Sequence, residues 1–265
     1  MITLIGHGYI GEAIATKLKS QSSMPFYWVT HKDKIPNDTK VLINAGGYTG
    51  SPNSDACEHH KEDTIRGNVL WPLELESKCL HIPVIHITSG CVYTGYQKDF
   101  TEEDEPNLHF DNGSFYSASK ALGQKLLTPY LGKSYLLRIR LVFGSSKHPK
   151  NLLTKLENYP KLIDFRQSLS YIEDIADAVL FFITNKPQPG IYNVTNGGSA
   201  SLKEIVDMMK LNKEWLTEEQ FLATVKTPRS NCILDNTKLK RVFPIRDLDI
   251  ALKDAILKYQ SNLIF

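Results

Sequence analysis

Ile2-Thr3-Leu4-Ile5-Gly6-His7-Gly8-Tyr9-Ile10-Gly11-Glu12-Ala13-Ile14-Ala15-Thr16-Lys17-Leu18 is the stretch that decides the fold. Ile2 to Ile5 is an apolar run of strand length, whereas Ile10, Ala13, Ile14 and Leu18 recur at helical spacing. The glycines between them supply a tight turn. Strand, turn and helix in that order predict the first βα unit of a parallel sheet, because a parallel neighbour can be reached only through a crossover.

Working outward, short apolar runs at residues 26–30, 41–45, 83–88 and 135–141 repeat the signal, with helix-length segments between them. Such alternation implies an α/β fold, a Rossmann-type doubly wound parallel sheet covered on both faces, with a smaller C-terminal substrate lobe. Pro72 interrupts a helix read over 68–79 and predicts a kink or a fresh start. Past Gly144 the rhythm breaks, then returns briefly in an amphipathic segment at 172–183 and a strand at 190–194. The expected division is therefore a dinucleotide-binding domain of residues 1–143 and 171–194, and a substrate lobe of 144–170 and 195–265 with helices near Leu152, Leu202 and Leu248.

The chain has 265 residues, 42% hydrophobic and 23% charged, which supports a sizeable core and excludes a disordered or fibrous class. Its net charge of +2 is scattered, so nucleic acid is not expected as a partner. Cys57, Cys79, Cys91 and Cys232 form no CxxC pair, which fits a reducing, cytoplasmic setting. No leader pattern or membrane-length apolar run is apparent, so no membrane association is expected. His59 and His60 are adjacent, and adjacent helical residues point apart, so no metal site is expected there. The acidic run from Glu102 to Glu105 reads as a solvated loop.

Gly6, Gly8 and Gly11, with Tyr9 and Ile10 between them, have the spacing of a turn that brings backbone and a helix N-terminus up to a pyrophosphate. Thr30, His31 and Lys32 follow the second strand with no carboxylate at the strand end, which favours NADPH while leaving NADH open. Tyr116 and Lys120 stand four apart, on one helix face, and a neighbouring cation is expected to draw the phenol towards phenolate. Ser89 ends the fourth apolar run, at the sheet edge where ligands of such folds bind. Ser, Tyr and Lys downstream of a glycine turn suit hydride transfer to a carbonyl.

With these residues in view, the chain resembles the extended short-chain dehydrogenase/reductases. Within them it is similar to dTDP-4-dehydrorhamnose reductases, and most similar to plant-type UDP-4-keto-6-deoxyglucose 3,5-epimerase/4-reductases. The segments that carry the resemblance are INAGGYTGSPNSDACEHHKEDTIRGNV, TSGCVY, EEDEPN, SFYSASKA, LRIR, PKNLLTKL, GIYNVTN and TPRSNCILDNTKL. It implies that Ser89, Tyr116 and Lys120 are the reductase triad, that Asn44, Ala45 and Gly46 line the cofactor and that Asn68 steadies the site. It places Arg229 and Asn231 near a nucleotide-sugar, with Ser89, Gly90, Cys91 and Asn151 along the substrate. The glycine turn is one residue shorter than the GxxGxxG usual in that branch.

Inversion at C3 and C5 of a 4-keto sugar needs one group to remove a proton and another to return one. Cys91 lies two residues past Ser89, so an extended chain would point both to one face. The resemblance implies epimerase roles for Cys91 and Lys155; a buried thiol and a solvated lysine are the alternative readings. The expectation is a bifunctional 3,5-epimerase/4-reductase giving UDP-β-L-rhamnose. A reductase alone, or a non-catalytic NADP-binding subunit, stands as the alternative. A separate 4,6-dehydratase would supply the substrate, and a homodimer is left open.

Overall fold

The computed structural model describes residues 1–261 except 226 and 228; the rest of the expected substrate lobe lies outside the described residues. Six strands, β1 (Ile2–Ile5), β2 (Phe26–Val29), β3 (Val41–Asn44), β4 (Val84–Ser89), β5 (Tyr135–Ile139) and β6 (Gly190–Asn193), form one sheet in the order β6-β5-β4-β3-β1-β2. Every pair is parallel, with Ile5 beside Asn44, Asn44 beside His86 and Ser89 beside Ile139. Helices α1 (Tyr9–Lys19), α2 (Lys61–Ile65), α3 (Trp71–Lys78), α4 (Phe115–Leu127), α5 (Leu152–Asn158) and α6 (Ile172–Asn185) lie between or beside these strands. α7 (Leu202–Met208), α8 (Glu218–Leu222), α9 (Thr237–Lys240) and α10 (Leu248–Ser261) follow.

Strands covered on both faces must be apolar throughout, and all four residues of β1 are buried. Ile14 and Leu18 of α1 and Val179 and Phe182 of α6 pack on one face of the sheet, whereas Leu75 and Cys79 at the end of α3 pack with Leu42 and Val84 on the other. Each fully buried Leu or Ile contributes about 1.5–3 kcal/mol, so losing one face would unfold the sheet. A separate core gathers Phe143, Leu153, Tyr171, Ile205 and Leu252. Among the described residues no helix is long and apolar enough to cross a membrane.

Three local features depart from the sequence expectation. Residues 30–40, between β2 and β3, contain no helix; the connection crosses β1 in loop conformation and leaves a groove of about 960 Å³ beside Ile35, Trp71 and Ile82. The fifth strand stops at Ile139, because Leu141 takes a left-handed conformation at φ 37° and turns the chain out of the sheet. The helix around Pro72 begins earlier than expected: α2 runs into a π-helical turn at Arg66–Leu70 and then into α3. The wider turn supplies the expected kink, leaving Pro72 near the start of α3, where its missing N–H costs little.

Candidate active site

The sheet order reverses beside β1, whose neighbours β2 and β3 lead to opposite ends of the sheet, so a crevice opens at the carboxyl ends of β1 and β3. Gly6 turns the chain there at φ 109°, and a Cβ on it would lie 2.8 Å from the Ala45 carbonyl carbon. A Cβ on Gly11 would lie 2.1 Å from the Gly6 oxygen, so the turn and α1 pack at backbone contact. Gly8, the N-cap of α1, has nothing within 4 Å of a built Cβ. An open backbone in front of an 11-residue helix's N-terminus fits a pyrophosphate. Tyr9 and Ile10 do not present side chains to this space: the Tyr9 ring stacks on His148 at 4.4 Å, and Ile10 packs into the core. Any part they take in cofactor binding is through their backbone N–H groups.

Asn44 reaches the crevice indirectly. Its Oδ1 accepts the Gly46 N–H at 3.1 Å, and its Nδ2 donates to His86 Nδ1 at 3.2 Å. His86 therefore carries its proton on Nε2, 3.1 Å from Glu76 Oε1. Lys133 closes the chain on the other Glu76 oxygen. Burial pushes His86 down from the ordinary 6.5, so it stays neutral. Burial pushes Glu76 up, but the hydrogen bonds from His86, Lys133 and Ser134 outweigh it and hold the carboxyl below its usual 4.5. Asn68 clamps the same loop, accepting Tyr48 N–H at 3.0 Å and donating to Tyr48 O at 2.9 Å and Ser119 Oγ at 3.1 Å.

The corner after β2 corrects the sequence reading. Thr30, His31 and Lys32 are exposed as expected. However, a carboxylate is present: Asp33 folds back to accept Thr30 N–H at 2.6 Å and Thr30 Oγ1–H at 2.7 Å. These bonds hold its carboxyl below the ordinary range.

Ser114 caps α4, its Oγ accepting Ser117 N–H at 3.1 Å, so Tyr116 and Lys120 fall one turn apart on the face towards β4. Gln124 ties that helix to the strand end by donating to Ser89 O at 2.8 Å, and its Oε1 accepts from Arg138 at 2.8 Å. Ser89 is close enough to the Tyr116 phenol to act on its charge. The expected drift of Tyr116 towards phenolate is not found: burial, and then Cys91 close by, push the phenol upward, with Ser89 opposing. Burial also lowers Lys120 to about 8. Tyr116 thus keeps its proton, the state a donor to a carbonyl oxygen requires.

β4 ends at Ser89 and the chain turns at Gly90, so Cys91 is not reached by an extended strand. Its N–H bonds back to Ser89 Oγ at 3.0 Å, which keeps it beside the strand end. A Cβ on Gly90 would lie 2.5 Å from Leu234 Cδ1, so a side chain there would have to displace the end of that leucine. Lys155, on α5, is half-buried; burial and then Lys150 and Arg229 lower it, while Cys91 raises it.

Asn151 is not available to a substrate: it is fully buried, caps α5 and spends its amide on Leu153 N, Gly144 N, Gly144 O and Ser146 O. Arg229 bridges to the segment before α2, donating to Asp55 Oδ2 at 2.8 Å and Ser54 Oγ at 2.9 Å. Asn231 has a buried Oδ1 without a partner. Glu102 is likewise not solvated: 8% exposed, it accepts Asn193 N–H at 2.8 Å. Sequence reasoning missed Asp33, Asp55, Glu76, Gln124 and Arg140. Of these, Arg140 and Asp55 carried a signal, as the last residue of LRIR and within INAGGYTGSPNSDACEHHKEDTIRGNV.

The RmlD substrate binding domain family matches residues 30–261. A bifunctional dTDP-4-dehydrorhamnose 3,5-epimerase/dTDP-4-dehydrorhamnose reductase of Arabidopsis thaliana is 35% identical over 235 residues, covering 82% of this chain and 75% of that protein. A trifunctional UDP-glucose 4,6-dehydratase/UDP-4-keto-6-deoxy-D-glucose 3,5-epimerase/UDP-4-keto-L-rhamnose-reductase of the same plant is 33% identical over 82% of this chain, which spans 34% of that protein's length. The crystal structure of the UDP-rhamnose synthase of Acanthamoeba polyphaga mimivirus has a TM-score of 0.88 at 25% identity, over 97% of this chain and 99% of that one. A dTDP-4-dehydrorhamnose reductase of Clostridium acetobutylicum shares the fold at a TM-score of 0.80 and 19% identity, over 100% of this chain and 99% of that one.

Proposed function

The chain belongs to the RmlD substrate-binding family, a dTDP-4-dehydrorhamnose reductase-like branch of the extended short-chain dehydrogenase/reductases, and from that premise we propose that it inverts C3 and C5 of a nucleotide-linked 4-keto-6-deoxyglucose and reduces C4. The product is an NDP-β-L-rhamnose. UDP is supported as the nucleotide by the activities named for the trifunctional plant relative and the viral synthase. The glycine turn and the Asn44–Gly46 loop would hold a nicotinamide cofactor, NADPH in preference to NADH. When bound, it supplies hydride to C4.

Tyr116 gives its phenolic proton to the C4 oxygen as the alkoxide forms, and Ser89 orients that oxygen by hydrogen bonding. Lys120, cationic near neutrality, stabilises the phenolate left behind. Lys155 and Cys91 move the protons at C3 and C5, which are acidic because they flank the carbonyl. The second core, built around α5, α7 and α10, would carry the nucleotide-sugar, and Arg229 would turn from Asp55 to the diphosphate. A separate 4,6-dehydratase would supply the keto-sugar.

The observation that carries this reading is the end of β4, where Ser89 Oγ accepts the Cys91 N–H at 3.0 Å and both residues act on the charge of the buried Tyr116 phenol, which supports both chemistries at one strand end. The test is incubation with UDP-4-keto-6-deoxyglucose in D₂O, with and without NADPH, followed by NMR and mass spectrometry. Deuterium at C3 and C5 together with NADPH-dependent UDP-rhamnose supports both activities. NADPH consumption only after a separate 3,5-epimerase is added would reduce the reading to a reductase; no turnover with any keto-sugar would overturn it.

A further inference from the structure

LRIR places two arginines at the end of β5, and both are almost fully buried, at 2% exposure for Arg138 and 1% for Arg140. Arg138 donates to Gln124 Oε1 and lies within the field of Glu102 and Glu105. Arg140 forms no ion pair with a carboxylate among the described residues. Its Nη1 donates to Ser230 Oγ at 2.9 Å and to Cys91 Sγ at 3.3 Å. Its Nη2 donates to Ser230 O at 2.7 Å and to Gln167 Oε1, and its Nε is buried without an acceptor. Leu141, with φ 37°, departs from the strand directly after it. Strained backbone of this kind is kept where the surroundings demand it, often at functional sites.

A guanidinium is permanently charged and can only donate. Buried without a counter-charge it is costly, and hydroxyl, amide and carbonyl oxygens satisfy its hydrogens without supplying one. Among the atoms it touches, Cys91 Sγ is the one that becomes an anion by losing a proton. Because Arg140 offers only N–H groups, the sulfur must accept from it, which leaves the S–H free to point elsewhere.

We propose that Arg140 is a positioning residue for epimerisation: it fixes the Cys91 sulfur and stabilises the negative charge left when that sulfur protonates the sugar. The inference rests on the reading of Cys91 and Lys155 given above. Lys155, as the amine, takes a proton from the carbon next to C4; the C–H electron pair enters the new C–C double bond and the carbonyl π pair moves to the C4 oxygen as an enolate. The Cys91 S–H returns a proton to that carbon from the opposite face and the carbonyl re-forms. Cys91 is then a thiolate facing Arg140, and Lys155 an ammonium. A proton passing from Lys155 to Cys91 through solvent restores both, and nothing is oxidised or reduced.

The test compares the unsubstituted protein with Arg140→Met and Arg140→Lys. One assay follows deuterium entry at C3 and C5 of UDP-4-keto-6-deoxyglucose in D₂O, and another follows NADPH-dependent reduction of the already epimerised keto-sugar. A third measures alkylation of Cys91 by iodoacetamide at neutral pH, with Cys91→Ser as blank, since the other three cysteines are buried. Arg140→Met is expected to slow exchange by about 10²-fold or more, the scale of one proton-transfer group. It should slow reduction far less and slow alkylation about tenfold, with Arg140→Lys recovering part of each loss. Equal losses of exchange and reduction, or alkylation at the unsubstituted rate, would overturn the inference. Absence of exchange in the unsubstituted protein would instead sink the epimerase reading, and the inference with it.

Discussion

Glu76 and Arg140 are both buried, at 0% and 1% exposure, yet only one is surrounded by opposite charge. Glu76 lies under the sheet with His86 on one oxygen and Lys133 on the other. Arg140 stands at the carboxyl edge among hydroxyl, amide and sulfur. A buried charge that the protein compensates itself serves the scaffold, here by holding Asn44 and the loop to Gly46. A buried charge left uncompensated, at the edge where ligands bind, acts on chemistry instead.

The widest separation of the two kinds should come from Tyr116. Tyr116→Phe removes a proton donor and leaves the ring packing intact, so reduction should fall about 10²–10⁴-fold with cofactor binding and urea midpoint nearly unchanged. Full activity would remove Tyr116 from the site. Glu76→Ala should do the reverse. It strands a buried imidazole and the Lys133 ammonium and should cost about 3 kcal/mol in urea unfolding, while cofactor-saturated turnover changes little. Arg140→Met, which replaces an uncompensated charge by an apolar chain, should lie within about 1 kcal/mol of the unsubstituted protein. Equal destabilisation by the two would abolish the contrast.

The sheet was legible because its signals are local. Residues 2–5, 26–30 and 41–45 read as strands from their short apolar runs and fold as strands over 2–5, 26–29 and 41–44, and Ser89 and Tyr116 could be placed at strand end and helix face by counting. The helix-free crossing from β2 to β3 was not legible, since eleven residues can hold either a helix or a loop. Arg140 and Asn151 show a different limit. Each is polar and lies in a segment typical of substrate contacts, but one bonds to the Cys91 sulfur and the other is consumed by its own helix cap. Which polar groups are already satisfied is a property of the folded chain.

A smaller effect separates the compensated pair by pH. His86 has its folded pKa depressed from 6.5, so it contributes stability above that value that is lost as the pH falls through the folded pKa. Glu76, depressed from 4.5, adds a second loss of the same sign below that value. The urea midpoint should therefore decline between pH 7 and 5.5 in the unsubstituted protein. His86→Gln, which cannot titrate, should be less stable at pH 7 but decline less across that interval, the remainder coming from His148, which burial also lowers; a decline as steep as the unsubstituted protein's would place the responsible group elsewhere.

The smallest expected effect concerns Asp33, an exposed charge that is compensated only by the turn it ties. A carboxylate at this corner accepts a ribose 2′-hydroxyl but repels a 2′-phosphate, and His31 and Lys32 act in the opposite sense. Asp33→Asn keeps an oxygen to accept the Thr30 N–H and removes only the charge. The ratio of kcat/KM for NADPH over NADH should then rise about three- to tenfold, and more at low salt because exposed charges are screened. An unchanged ratio with an intact fold would mean that Asp33 closes the turn and nothing else, leaving cofactor preference to His31 and Lys32.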